Sequence, residues 1–328
     1  MIAHRGWHWP AALAGLVVVA ILGVALGAVS ISLHDLAAVV RGDAPASVRE
    51  IVLTLRAPRV VLAALVGAAL GASGSTMQAT LRNPLAEPYL LGVSGGAAVG
   101  AVGAMLLRLP AASWPIGAFV GAAVAVALAL GVARGTSMLR AADPRTLLMA
   151  GVVVGALANA VVMIALANVP PETVRGALWW MMGSVGDATW TSVAWLGAYA
   201  LIAIIALLTQ APTIDALTLG DEAAAGLGVR VERATAQAFL TAALLAAATV
   251  AAAGLVGFVG LIVPYLARGA GLSRQREILL ASVIVGAMLV IAADLVARIA
   301  TPPSELPLGA VTAVLGVPFF LVQLRRLR

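Results

Sequence analysis

Apolar residues along this chain fall into long blocks divided by short polar clusters, and blocks without any charge include 60–81, 146–168, 191–210, 234–267 and 306–324. Each approaches or exceeds the roughly 18 residues that a helix needs to cross a hydrocarbon core. The pattern predicts an all-α polytopic membrane protein.

A first apolar run covers 9–33. It is too long for the apolar region of a signal peptide and lacks a convincing small-residue cleavage site, so it reads as a retained span. The polar segment 34–59 follows, with Arg41, Asp43, Arg49, Glu50, Arg56 and Arg59 set around Pro45 and Pro58, and reads as an ordered loop with one amphipathic turn. The second span, 60–81, is stopped by the two prolines and the asparagine of Arg82-Asn-Pro-Leu-Ala-Glu-Pro88. Spans three to five occupy 92–108, 114–133 and 146–167, with Arg134, Arg140, Asp143, Pro144 and Arg145 between the last two. After Pro170-Pro171-Glu172-Thr173, the aromatic stretch 175–183 predicts a short interfacial helix. Span six runs over 192–209, and the polar connection 212–233 contains a short helix at 220–228 with acids in its first turn and a glycine stop.

The uncharged run 234–267 must break, because as one helix it would measure about 51 Å against a core of roughly 30 Å. Gly254, Gly257, Gly260 and Pro264 place that break after a full span ending near 253, with a shorter helix beyond it. Spans at 278–297 and 308–324 bring the total to about ten crossings, with both termini on one side.

Composition narrows the function. Charged residues make up 10% of the 328 residues and hydrophobic ones 62%, against about a quarter charged in an average soluble domain. All 20 basic residues are arginine, and a chain without lysine cannot carry a Walker A phosphate loop. The lack of cysteine excludes disulfides, thiolate metal sites, iron–sulfur clusters and cysteine nucleophiles. His4, His8 and His34 all lie near the start, which leaves no multi-histidine metal or haem site in the membrane interior. The net charge of +6 reads as arginine placed by membrane topology rather than as a nucleic-acid surface. With the N-terminus inside, 13 arginines fall on the cytoplasmic side and 7 outside, which favours cytoplasmic termini. Four of the outer seven precede the second span (Arg41, Arg49, Arg56 and Arg59), a concentration of cation that invites a functional explanation.

Secondary transporters couple through ionisable groups buried in their spans, and the spans here hold essentially one, Asp294, a helical turn from Arg298. An i,i+4 pair accounts for it, although an ion-coupled transporter using Asp294 is the alternative. An intramembrane enzyme lacks a candidate constellation. Energy then enters through a partner protein, for which the helix at 220–228 is the docking element.

Five segments, in order, carry a resemblance over nearly the whole chain: Arg56-Ala-Pro-Arg59, Arg82-Asn-Pro-Leu-Ala-Glu-Pro-Tyr-Leu-Leu-Gly-Val-Ser94, Leu219-Gly-Asp-Glu-Ala-Ala-Ala-Gly-Leu-Gly-Val229, Gly257-Phe-Val-Gly-Leu-Ile-Val-Pro264 and Glu305-Leu-Pro-Leu-Gly309. The chain resembles the FecCD-type permeases of ABC importers for iron-siderophores, haem and cobalamin. The resemblance implies a single transmembrane permease domain over 1–328, a homodimer with a central path, two cytoplasmic ATPase subunits that bind ATP and magnesium, and a periplasmic or lipid-anchored binding protein. It implies no cofactor and no catalytic site in this chain, no nucleic-acid partner, and a place in the bacterial inner membrane with both termini cytoplasmic. By the same resemblance Arg56, Arg59 and Arg298 are outward arginines that receive acidic residues of the binding protein, the alternative being anchorage to lipid phosphates. Asp221, Glu222, Ala223, Gly226 and Gly228 match the helix that couples to the ATPase. Asn83 and Leu85, with Pro144, Arg145 and Thr146 opposite, match a cytoplasmic gate, the alternative being ordinary turn and capping chemistry.

The chain departs from the family pattern at Tyr265, where many relatives have histidine, and at Asp187, where glycine is frequent. Trp179-Trp180 and Met181-Met182 either line a path or pack in the core. Gly67, Gly71 and Gly74 have the spacing that lets helices approach closely.

Overall fold

A computed structural model of the chain describes residues 9–27, 29–135 and 144–326. His4, Arg5, His8, Arg140, Asp143 and Arg328 lie outside the described residues. Among the described residues all regular structure is helical: α1 (Trp9–Ala25), α2 (Leu33–Arg41), α3 (Ala46–Glu50), α4 (Ala57–Thr80), α5 (Val93–Leu106), α6 (Trp114–Gly135), α7 (Pro144–Leu166), α8 (Pro171–Met181), α9 (Trp190–Thr218), α10 (Asp221–Gly226), α11 (Val231–Ala253), α12 (Val259–Gly269), α13 (Gln275–Ile299) and α14 (Leu308–Arg326). Six stretches are long and apolar enough to cross a membrane, the longest being Ala46–Thr80, and four shorter apolar helices accompany them.

Three boundaries differ from the sequence reading. The first apolar run is not one helix: α1 ends at Ala25, and Leu33 opens α2, whose start is fixed by a capping box between Ser32 and Asp35 and whose end is fixed by Gly42 in the left-handed region. The polar segment 34–59 is mostly helical, because Ala46–Thr80 is continuous through a π-helical stretch at Ile51–Arg56. The expected stop near residue 209 is also absent. α9 continues through Pro212 to Thr218; an interior proline forfeits one backbone hydrogen bond, a loss that a helix within a packed membrane bundle tolerates.

α4 is the buried centre, packed by α9, α11, α12 and α13. A Cβ on Gly67 would lie 2.0 Å from the Gly286 carbonyl oxygen, one on Gly71 2.2 Å from that of Ser282, and one on Gly74 2.0 Å from that of Gly260. The stripe therefore puts α4 in backbone contact with α13 and, one turn on, with α12. In lipid, where apolar burial gives helices little reason to associate, such close van der Waals packing holds the bundle. Ser73 adds a hydrogen bond from Oγ to the Ala242 carbonyl on α11, 2.7 Å.

The break in the long uncharged run falls where the glycines place it. Gly254 (φ 67°) and Phe258 (φ 68°) both adopt left-handed backbone between α11 and α12, and a Cβ at Gly254 would stand 2.3 Å from the Trp180 carbonyl oxygen. Unwound backbone at membrane depth needs partners from the protein. The segment after α4 supplies them: Glu87 Oε1 accepts from the Phe258 N–H at 2.6 Å, and the Tyr89 hydroxyl accepts from the Val256 N–H at 3.4 Å. Replacing Glu87 with alanine orphans the Phe258 N–H and is expected to cost about 1–3 kcal/mol, read as a lower melting temperature in detergent.

Candidate functional site

At one end of the bundle the N-terminus of α4, the C-terminus of α13 and the loop 300–307 meet. Arg59 carries two carboxylates at once. Its Nε and Nη2 donate to Asp294 at 2.8–3.2 Å, and its Nη1 and Nη2 donate end-on to Glu305 Oε1 and Oε2 at 2.9 and 2.8 Å. Asp294 is 1% exposed, and its second oxygen lies 3.1 Å from Arg298 Nε, although that N–H is not aimed at it for a hydrogen bond. The expected i,i+4 pair is thus one edge of a three-way ion cluster. Arg298 donates to the carbonyls of Gly23 (2.9 Å) and Leu26 (3.2 Å), and Arg56 to those of Val24 (2.8 Å), Ala25 (2.9 Å) and Val29.

Of the three arginines, Arg56 and Arg298 are buried and the Arg59 side chain is 12% exposed. The carbonyls they fill are those left open where α1 ends, which explains why the first apolar run stops at Ala25. The hydrogen bonds from Arg59 hold the Glu305 carboxyl below the usual glutamate range, so it is charged at neutral pH.

The opposite end gathers the other predicted residues. The α10 helix projects from the bundle on one buried residue, Ala224; Asp221, Glu222, Ala223 and Gly226 are exposed, as is Gly228 beyond it. Gly220 (φ 105°) and Gly228 (φ 83°) bracket it in a backbone conformation that suits glycine. Asp221 pairs with Arg82 at 3.0 Å, which ties α10 to the segment that follows α4. Beside this pair lies a cavity of about 350 Å³ whose lining includes Gln78, Arg82, Asn83, Asp215, Arg268 and Gln275. Arg268 donates to Gln78 Oε1, and the α13 N-terminus is capped by Asp215, which accepts from the Gln275 N–H at 2.8 Å.

Asn83 Oδ1 accepts from the Leu85 N–H at 2.9 Å, an Asx turn that leaves the Leu85 side chain exposed. Thr146 is half-buried in the first turn of α7; Pro144 and Arg145 open that helix, and their side chains lie outside the described residues. Leu81 and Ala86 belong to the same buried apolar cluster as Leu147 and Ala150.

The sequence profile of the FecCD transport family matches residues 15–326. The chain belongs to that family. It is 35% identical over 312 residues to the Fe(3+)-citrate import system permease protein YfmE of Bacillus subtilis, covering 94% of this chain and 92% of the relative. To the vitamin B12 import system permease protein BtuC of Vibrio cholerae it is 41% identical over 280 residues, 85% and 83% of the two chains. To the hemin transport system permease protein HmuU of Yersinia pestis it is 38% identical over 320 residues, 95% and 93%. A solved structure of an inward-facing metal-chelate-type ABC transporter superposes with a TM-score of 0.86 at 26% identity, covering 96% of this chain and 98% of that one.

Several features of this FecCD-family chain lie beyond what its sequence indicated. Glu305 was visible only as part of a motif, and its pairing with Arg59 joins residues 246 apart in the chain. The Arg82–Asp221 pair and the bonding of Glu87 and Tyr89 to the α11–α12 break are likewise long-range. Trp179 and Trp180 line a cavity of about 700 Å³ together with Trp114, Trp195 and Asp187. Met181 packs against a buried cluster and Met182 is exposed. Tyr265 stacks edge-on with Phe319, ring centroids 6.1 Å apart, so its ring joins α12 to α14.

Proposed function

We propose that this chain is the transmembrane permease subunit of a binding-protein-dependent ABC importer that moves a metal chelate or corrinoid, of the iron-siderophore, haem or cobalamin class, across the bacterial inner membrane. The substrate class is supported by relatives that import ferric citrate, vitamin B12 and hemin. Spans almost free of charge also suit a path for a bulky ligand. The chain acts as one permease domain with about ten crossings, the six long stretches and the four shorter apolar helices. Its termini are cytoplasmic and it works as a homodimer. Two cytoplasmic subunits bind ATP and magnesium and hydrolyse the ATP, while this chain itself holds no cofactor and catalyses nothing. A periplasmic or lipid-anchored protein delivers the substrate to the end that carries Arg56, Arg59 and Arg298. Asn83 and Leu85, with Pro144, Arg145 and Thr146, gate the cytoplasmic end during alternating access.

The observation that carries this reading is α10. A six-residue helix held on Ala224 exposes both its acids, and Leu219 and Leu227 on either side are 67% and 65% exposed. An apolar and acidic knob of this form, outside the spans and pinned by Arg82, suits a groove on a soluble partner. The ion-coupled alternative loses its acid, because Asp294 is held between Arg59 and Arg298. Glu222→Arg together with Leu227→Ser is expected to leave the melting temperature unchanged and to reduce copurification of the ATPase subunit about tenfold or more. Undiminished copurification and transport would overturn the coupling role of α10.

A further inference from the structure

The arginine cluster is not electrically closed. Arg59 and Arg298 pair with the carboxylates Asp294 and Glu305, while Arg56 beside them donates only to main-chain carbonyls and has no acidic partner, which leaves one positive charge over. Arg56 and Arg298 are buried and spend donors on main-chain carbonyls of α1 and the residues just after it, so neither offers an open face. Asp294 is the buried counter-ion and is not replaceable from outside.

Glu305 is different. Its side chain is 42% exposed while the Arg59 side chain beneath it is 12% exposed, so the Glu305 carboxylate is the solvent-facing cover of Arg59. It sits on the loop 300–307, which is returned to the bundle by the Leu306 N–H on the Ala297 carbonyl (2.9 Å). Past it the Leu308 and Gly309 N–H groups bond the carbonyls of Gly183 and Met182, both at 3.0 Å. Met182 and Gly183 follow α8, and Gly183 is followed by Ser184, whose N–H bonds the Ala253 carbonyl at the end of α11. The loop that holds Glu305 is therefore one short hydrogen-bonded step from the α11–α12 break.

We propose that Glu305 is a resident stand-in for a partner's carboxylate: an acidic side chain of the docking protein displaces it from the Nη1/Nη2 edge of Arg59, and the freed 300–307 loop passes the event to the α8 end and the α11 end. This deepens the docking assigned to the arginines under the proposed function and rests on that reading. The physical case is that the two-pronged Nη1/Nη2 geometry fits a carboxylate from any source. Exchange also conserves the charge pairing of Arg59, whereas docking onto an already satisfied arginine would add a second solvent-exposed anion with little gain. The surplus positive charge attracts the incoming acid before the exchange takes place.

The test uses the complete transporter in lipid nanodiscs and the purified substrate-binding protein of the same transport system. Glu305→Gln removes the competing charge and is expected to raise affinity for the binding protein about fivefold or more, mainly through faster association. Arg59→Lys keeps the charge and loses the fork, and is expected to weaken binding and to erase the gain from Glu305→Gln when the two are combined. Because the chain has no cysteine of its own, a nitroxide on Ser304→Cys reports the loop in the otherwise native protein. Its spectrum is expected to sharpen when the binding protein is added. If Arg59→Lys binds as tightly as wild type, the docking reading itself fails. If Arg59→Lys weakens binding while Glu305→Gln gives no gain and the nitroxide spectrum does not change, docking stands and the exchange is overturned.

Discussion

Replacing Asp294 with alanine is expected to be the most damaging single change in the molecule. The carboxylate is 1% exposed and serves both Arg59 and Arg298, each itself largely buried. Removing it leaves two cations facing each other at the end of the bundle with only Glu305, at the surface, to oppose them. Breaking a buried ion pair by deleting one partner costs about 3–5 kcal/mol, a large share of the roughly 5–15 kcal/mol by which a folded domain is stable. The variant is expected to purify in low yield and to melt far below wild type when followed by tryptophan fluorescence in detergent. Asp294→Asn, which keeps one of the two oxygen acceptors but not the charge, is expected to fall between Asp294→Ala and wild type. A melting temperature for Asp294→Ala within experimental scatter of wild type would show that the cluster is not a stabilising centre.

Adding one methyl group to Gly67 is expected to have the second-largest effect, with the opposite sign from that of intrinsic helix preference. Alanine is favoured over glycine in a helix by about 0.8–1.0 kcal/mol. At Gly67, however, the methyl would lie 2.0 Å from the Gly286 carbonyl oxygen, and backbone on both sides cannot swing away as a side chain can. α4 and α13 would have to separate, with a cost of at least the 1–3 kcal/mol or so seen for overpacking. Gly103 on α5 is the matched control, since a Cβ there meets nothing within 4 Å. Gly103→Ala is expected to be neutral or stabilising while Gly67→Ala lowers the melting temperature, and equal behaviour of the two would remove close helix approach as the reason for the stripe.

The two effects show where long-range structure adds to local pattern. The Gly67-Gly71-Gly74 spacing already signalled a close-packing face, because three small residues one helical turn apart present a flat surface whatever lies opposite. The identity of the opposing helices, α13 for the first two and α12 for the third, could not be read, since spacing along one helix says nothing of the surface it meets. Asp294 is parallel. Its partner one turn away was evident, but Arg59, 235 residues distant, was not, and with it went the distinction between an edge-on local pair and a buried three-way cluster.

Residue order alone made legible the membrane class, the approximate positions of the spans, the break after Ala253, the exposed α10 with its glycine brackets and the family. All but the family, which rests on the five motif segments, follow from the solvent that a block of residues requires or from the backbone angles that glycine and proline permit, which are local quantities. Packing across the bundle was needed to show that the first apolar run stops at Ala25, that α9 continues through Pro212, and that Arg56, Arg59 and Arg298 turn to partners within the protein. Those outcomes depend on which groups find partners across the bundle. In a medium that offers none, a guanidinium moves to the carbonyls and carboxylates that distant helices leave open, and that pairing is a property of the assembled fold.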